Sequence, residues 1–195
     1  MPANRLFQTF LCLTTMALFT SAAQSEQAGG TPPSCSDTGE YAELDFWLGD
    51  WQVHTTDGQL AGTNRIEKIL NGCAILEHWT SAGGSVGKSL FYIWKGDWRQ
   101  VWVTEMASWT GGTKEKHQVI IEPEPGIRFQ GKIPLPDGNA YLDRTTLTRQ
   151  DDGSVRQLIE ISMDDGVTWK SSFDAVYTRV GADKIARATQ NQPGK

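Results

Sequence analysis

The chain has 195 residues, 38% of them hydrophobic and 10% aromatic, with a formal net charge of −5. That length suits a single domain with a core of its own. A mildly acidic chain without a basic run offers no electrostatic basis for binding nucleic acid or an anionic membrane surface.

At the start, Arg5 precedes a mostly apolar run, residues 6–19, and the small residues Ser21, Ala22 and Ala23 follow it. This reads as a secretory signal over residues 1–23, cut after Ala23, with an uncleaved anchor as the alternative. The run is short for a bilayer span, so the mature chain is expected to be exported, to a periplasm or the outside, without a membrane span. Cys12 would leave with the signal. Residues 24–40 are rich in Ser, Gly, Pro and Thr and read as a flexible arm. Residues 41–48 are the one stretch with helical character before the strands begin, placed to act as a lid or plug.

From there the chain is punctuated by nine reversal signals. They are Asp57-Gly58, Asn71-Gly72, Gly83-Gly84, Gly96-Asp97, Gly111-Gly112, Pro123 to Gly126, Asp137-Gly138, Asp151 to Gly153 and Asp164 to Gly166. Successive signals lie roughly 12 to 15 residues apart, separated by segments rich in β-branched and aromatic residues. Such spacing leaves no room for helical crossovers. The expected fold is all-β: an antiparallel up-and-down barrel of about ten strands over residues 41–180, closed on itself to remove its edges. Residues 181–195 form a polar tail expected to be disordered. Alternation within strands places Gln100, Trp102 and Thr104 on one face and Val101 and Val103 on the other. Gln157, Ile159, Ile161 and Met163 likewise share a face, opposite Arg156, Leu158, Glu160 and Ser162. Neither strand separates into an oily and a wet side, as expected of a barrel with a partly polar interior or of one that exposes some apolar residues outward.

Two cysteines remain in the mature chain, Cys35 and Cys73. In an oxidising compartment they form a disulfide across a loop of about 38 residues, or they remain as two separate thiols. The sequence leaves both readings open. With no histidine at ligand spacing, they do not make a metal site.

Phe46-Trp47-Leu48-Gly49-Asp50-Trp51 opens the first strand with a Gly-x-Trp motif, and Tyr177-Thr178-Arg179 puts an arginine on the last. The pairing resembles the calycins, the lipocalin and fatty-acid-binding group. The resemblance implies that Trp51 closes the barrel bottom and Arg179 stacks across it, an arrangement that gains cation–π energy. A wider resemblance runs through Leu70 to Trp79, Gly87-Lys88-Ser89-Leu90, Trp98 to Trp102 and Val155-Arg156-Gln157. These segments are similar to the bacterial DUF1579 family of calycin-like domains, which has no agreed activity, so the resemblance speaks to fold and leaves function open. Ser162-Met163-Asp164-Asp165-Gly166-Val167-Thr168-Trp169 matches the Asp-box pattern, a hairpin element of sialidases and other β folds. A single copy implies a structural hairpin, with Asp164 bonding the turn and Trp169 packing beneath it.

Eight tryptophans crowd the domain. Most suit the core, whereas Trp79 and Trp102, which share strand faces with Glu77 and Gln100, are candidates for a ligand wall. A Glu77 facing inward needs a partner, for which Arg144 is the candidate, or it takes up a proton. His54, His78 and His117 lie on different strands and suggest no joint metal site, and haem is not expected. No nucleophile motif is present, and Ser89 is merely the best placed hydroxyl. The expected function is binding of a small, largely apolar molecule inside the barrel, with polar contacts from Glu77, Ser89, Gln100, Arg144 and Gln157 and apolar faces from Trp79 and Trp102. The alternatives are a small-molecule enzyme, an isomerase, cyclase or hydrolase using Glu77 as acid–base group, and a packed structural barrel without a ligand.

Overall fold

The computed structural model describes residues 34–37, 39–104 and 112–181. The signal, most of the arm, the tail, Gly111 and Trp109 lie outside the described residues. Ten strands follow one another: β1 (Gly49–Thr55), β2 (Leu60–Ile69), β3 (Ala74–Ser81), β4 (Val86–Trp94), β5 (Asp97–Thr104), β6 (Thr113–Val119), β7 (Ile127–Pro134), β8 (Ala140–Arg149), β9 (Val155–Ser162) and β10 (Lys170–Arg179). Each pairs antiparallel with its neighbour in sequence, and β1 pairs with β10 to close the barrel. The reversal signals fall between consecutive strands. The fourth turns one residue early, at Lys95-Gly96, with Asp97 already opening β5. At Asn71-Gly72 both residues take positive φ, 58° and 83°, which asparagine and glycine tolerate best. No helix among the described residues is long and apolar enough to cross a membrane.

The expected plug forms as two short 3₁₀ turns, Gly39–Ala42 and Asp45–Trp47. Leu44 and Trp47 have no solvent exposure. The Trp47 ring meets Phe91 and Tyr177 edge-on, at 5.5 and 6.0 Å between centroids, the geometry aromatic quadrupoles favour. Trp51 Nε1 donates to the Trp47 carbonyl at 2.9 Å. Arg179 lies directly opposite Trp51 in the β1–β10 ladder, its guanidinium 4.4 Å over the indole, and Nη1 donates to the Leu48 carbonyl at 2.8 Å. Gly49 is what admits that arginine. Its φ is 125°, and a Cβ there would lie 2.5 Å from Arg179 Nη1. The Gly-x-Trp motif is therefore a steric requirement of the closed end. Lys68, at the end of β2, donates to Asp45 and pins the plug from the side.

The apolar core gathers at this closed end, where Val53, Ile66, Ile75, Trp98, Phe129, Leu147 and Val155 join the plug residues. Cys35 and Cys73 are bonded to each other. The disulfide ties residues 35–37 to the β2–β3 turn, which resolves the alternatives the sequence left open. Across a sequence separation of 38 residues, the chain-entropy model gives about 3–4 kcal/mol of stabilisation. The Asp-box is a structural hairpin. Asp164 accepts from the Thr168 amide and hydroxyl and from Ser162, while Trp169 Nε1 donates to the Gly166 carbonyl. These bonds hold the exposed Asp164 carboxyl down to about 2.

Replacing Cys35 and Cys73 together by serine should lower unfolding stability by about 3–4 kcal/mol in urea titrations followed by tryptophan fluorescence. An unchanged midpoint would mean that the plug end needs no covalent tie.

Candidate functional site

Strand alternation turns every second side chain inward, and midway along the barrel the inward positions change character. Above the apolar core, Asn64 (β2), Glu77 (β3), Ser89 (β4), Gln100 (β5), Lys116 (β6), Asp143 and Thr145 (β8), Gln157 (β9) and Tyr177 (β10) form a belt of buried residues carrying polar groups. Beyond it, toward the end opposite the plug, Trp79, Trp102, Ile159 and Phe173 are only partly buried. A cavity of about 200 Å³ lies between belt and aromatic rim.

Half of the belt is one connected chain of hydrogen bonds. Asn64 Nδ2 donates to Glu77 Oε1 at 2.6 Å and to Tyr177 Oη at 3.3 Å. Tyr177 Oη donates to Gln157 Oε1 at 2.8 Å. On the other side of Glu77, Ser89 bonds the carboxylate and accepts from Gln100 Nε2 at 3.2 Å. Gln100 Oε1 and Asn64 Oδ1 are left buried without a partner among the described residues, each an energetic cost of about 1–3 kcal/mol.

The other half is ionic. Asp143, wholly buried, faces two ammoniums: Lys114 Nζ at 2.7 Å and Lys116 Nζ on its second oxygen. Lys116 also donates to Thr145 Oγ1 at 2.6 Å. Gly131 stands directly opposite Asp143 on β7 and puts no side chain in the path of Lys116. A Cβ there would meet the Glu115 carbonyl oxygen at 2.0 Å.

Burial raises the Glu77 pKa and outweighs the hydrogen bonds from Ser89 and Asn64 and the positive charge of Lys116. Burial lowers the Lys116 pKa more than Asp143 raises it. It opposes the charge on Lys114 too, but there Asp143 prevails and the pKa rises. The Tyr177 phenol is pushed well above its usual range, first by burial and then by Glu77, so it acts as a neutral donor.

Of the residues singled out from sequence, Glu77, Trp79, Gln100, Trp102 and Gln157 line the cavity. Ser89 has no solvent exposure and sits behind the wall, reaching the cavity through Glu77 and Gln100. Arg144 does not belong to the site. It is on the outward face of β8, between inward Asp143 and Thr145, where it donates to Glu160 at 2.7 Å and lies 4.0 Å over the Trp169 ring. The expected Glu77–Arg144 pair is therefore absent, and the arginine braces the Asp-box hairpin instead. His54, His78 and His117 all occupy outward positions, and His78 pairs with Glu67 at 2.9 Å.

Sequence reasoning missed Lys114, Lys116, Asp143, Thr145, Asn64, Tyr177 and Phe173. The alternation Tyr141-x-Asp143-x-Thr145-x-Leu147, bounded by apolar residues, was the available signal for β8. Lys114 and Lys116 carry no such signal, since a short charged strand is usually solvated. Trp102 reaches the rim because its ring lies over Gly87, where a Cβ would come within 2.4 Å of it.

The chain matches no protein-family model and no curated protein sequence. The likeness to DUF1579 thus rests on the segments that carry it.

Glu77 gives the site a pH signature. Its folded pKa is raised above the unfolded value, so its contribution to stability is present below the unfolded pKa. That contribution is lost as pH rises through the folded pKa. Against Glu77→Gln, the wild-type melting temperature should therefore fall progressively from about pH 4.5 upward. A constant difference between the two proteins, measured by calorimetry across that range, would show that burial does not raise the pKa of the carboxyl.

Proposed function

We propose that this protein is an exported barrel that binds one small molecule, with an apolar body and a polar head, in its interior. The observation that supports it most is the cavity itself. Its rim offers Trp79, Trp102, Ile159 and Phe173, and its floor offers buried polar groups of which Gln100 Oε1 lacks a partner. A barrel built only for stability gains by filling such a space with apolar side chains. A volume near 200 Å³ exceeds the ~150 Å³ that holds a benzene molecule, so the guest has on the order of ten non-hydrogen atoms. The resemblance of the Trp51–Arg179 end to calycins agrees, since barrels of that size hold one small ligand. The Cys35–Cys73 disulfide fits an oxidising, exported setting.

A second reading is favoured by the environment of Glu77. A carboxyl whose pKa burial raises, set against a ligand cavity, is equipped for general acid–base work, on a substrate isomerised, cyclised or hydrolysed in the same space. Glu77→Gln separates the two. Binding would weaken by a modest factor, whereas turnover would be abolished.

Native mass spectrometry of the protein purified from its exported fraction should show extra mass that disappears on denaturation. A mass equal to that of the bare processed chain, together with no change in tryptophan emission on addition of small aromatic or aliphatic compounds, would contradict the binding reading.

A further inference from the structure

Resting on the binding reading, we infer that the polar head of the guest is a single carboxylate, seated on Lys116 and recognised together with a proton on Glu77. The ligand class is that of short aryl- or alkyl-substituted monocarboxylates.

Donor counting begins the argument. An ammonium has three N–H donors. Lys116 directs one to Asp143 and one to Thr145, which leaves one for a group in the cavity it lines. Charge counting points the same way. Two lysines, Lys114 and Lys116, share one carboxylate, Asp143. With Glu77 protonated, these interior groups carry an excess of one positive charge, and a monoanion neutralises it. With Glu77 ionised, they are already balanced, and an added anion would be an unpaired buried charge, which is strongly disfavoured. A cationic head faces the opposite difficulty against Lys114 and Lys116.

The hydrogen-bond relay agrees with the charges. In the arrangement observed, Ser89 bonds Glu77 and accepts from Gln100 Nε2. Gln100 therefore keeps its carbonyl oxygen, buried and without a partner, on the side away from Ser89, where it offers an anion no donor. When Glu77 carries a proton, its O–H donates to Ser89 Oγ and the serine hydroxyl turns toward Gln100. The Gln100 amide turns over so that Oε1 accepts from the serine and Nε2 takes the place Oε1 held. The O–H bond on Glu77 is the one covalent bond formed. One proton taken from solvent thus replaces an acceptor by a donor beside Lys116. Gln100 and Lys116 are direct cross-strand neighbours, so both can address one head group. The titratable groups facing Glu77 are Lys116 from β6 and Tyr177 from β10. His78, next along β3, points outward to Glu67.

The test is isothermal titration of the full protein with three probes of matched shape: phenylpropionate, phenylpropanol and phenylpropylammonium. Titrations in buffers of different ionisation enthalpy count the protons exchanged. The expected result is a preference for phenylpropionate of at least about tenfold over both others. Close to one proton should be taken up per anion at neutral pH, and anion affinity should fall as pH rises. Lys116→Met, which leaves Lys114 and Asp143 as a balanced pair, should abolish the preference for phenylpropionate over phenylpropanol. Glu77→Gln should abolish the proton uptake. Phenylpropanol or the ammonium binding as well as the anion would overturn the carboxylate assignment while leaving the binding reading intact. Anion binding without proton uptake would overturn the relay. Failure of all three probes, with no mass found in the native protein, would overturn both the assignment and the binding reading.

Discussion

Everything inside the barrel follows from the ladder between β1 and β10. Arg179 stands opposite Trp51 in that ladder, and the same arginine caps the tryptophan ring and bonds the chain entering β1. Closure removes the two exposed edges an open ten-strand meander would carry. It also creates an interior, one end of which is filled by the plug residues Leu44 and Trp47. In such an interior every polar group must find a partner or remain a cost.

The two halves of the interior meet that demand differently. Near the plug the inward positions are aromatic and aliphatic, and the packing resembles the core of any small β domain. Above it, residues from eight of the ten strands contribute buried polar groups. Their hydrogen bonds run laterally across strands, through Gln100, Ser89, Glu77, Asn64, Tyr177 and Gln157. Buried polar networks are favourable when fully satisfied and costly when not. This one stops short of satisfaction at the cavity wall, where Gln100 Oε1 has no partner. Proteins retain such a local cost where a ligand supplies the missing bond.

The architecture was legible in the sequence because it is written in local chemistry. Asn71-Gly72 and Asp164 to Gly166 demand reversals whatever surrounds them, and the regular distance between such pairs sets the strand length. The groupings on β5 and β9 were legible too, Gln100 with Trp102 and Gln157 with Ile159, but only the closed barrel shows that these faces point inward. The β9 alternation breaks at its end, where Ser162 is buried and Met163 exposed. What escaped was non-local. Arg144 looked like the partner of a buried carboxylate, but it lies on the face opposite Asp143 and Thr145, and one step along a strand reverses the direction of a side chain. Lys114 and Lys116 carry no local mark of burial, because a short charged strand is usually solvated. Only the closed register brings them to Asp143, past a glycine on the intervening strand. The Cys35–Cys73 bond depended on how the arm folds against a turn, which no periodicity records.

The central claim is that the polar belt exists for a guest and weakens the empty barrel. The most direct measurement is the thermal stability of Gln100→Met, a nearly isosteric change. It deletes the unpartnered carbonyl together with the Nε2 bond to Ser89, while Ser89 keeps its bond to Glu77. Removing the unsatisfied buried acceptor outweighs the lost bond and predicts a net gain of about 1 kcal/mol in the ligand-free protein, seen as a higher melting temperature. A loss of stability of similar size would mean that Gln100 holds the barrel together, and that the belt is structural.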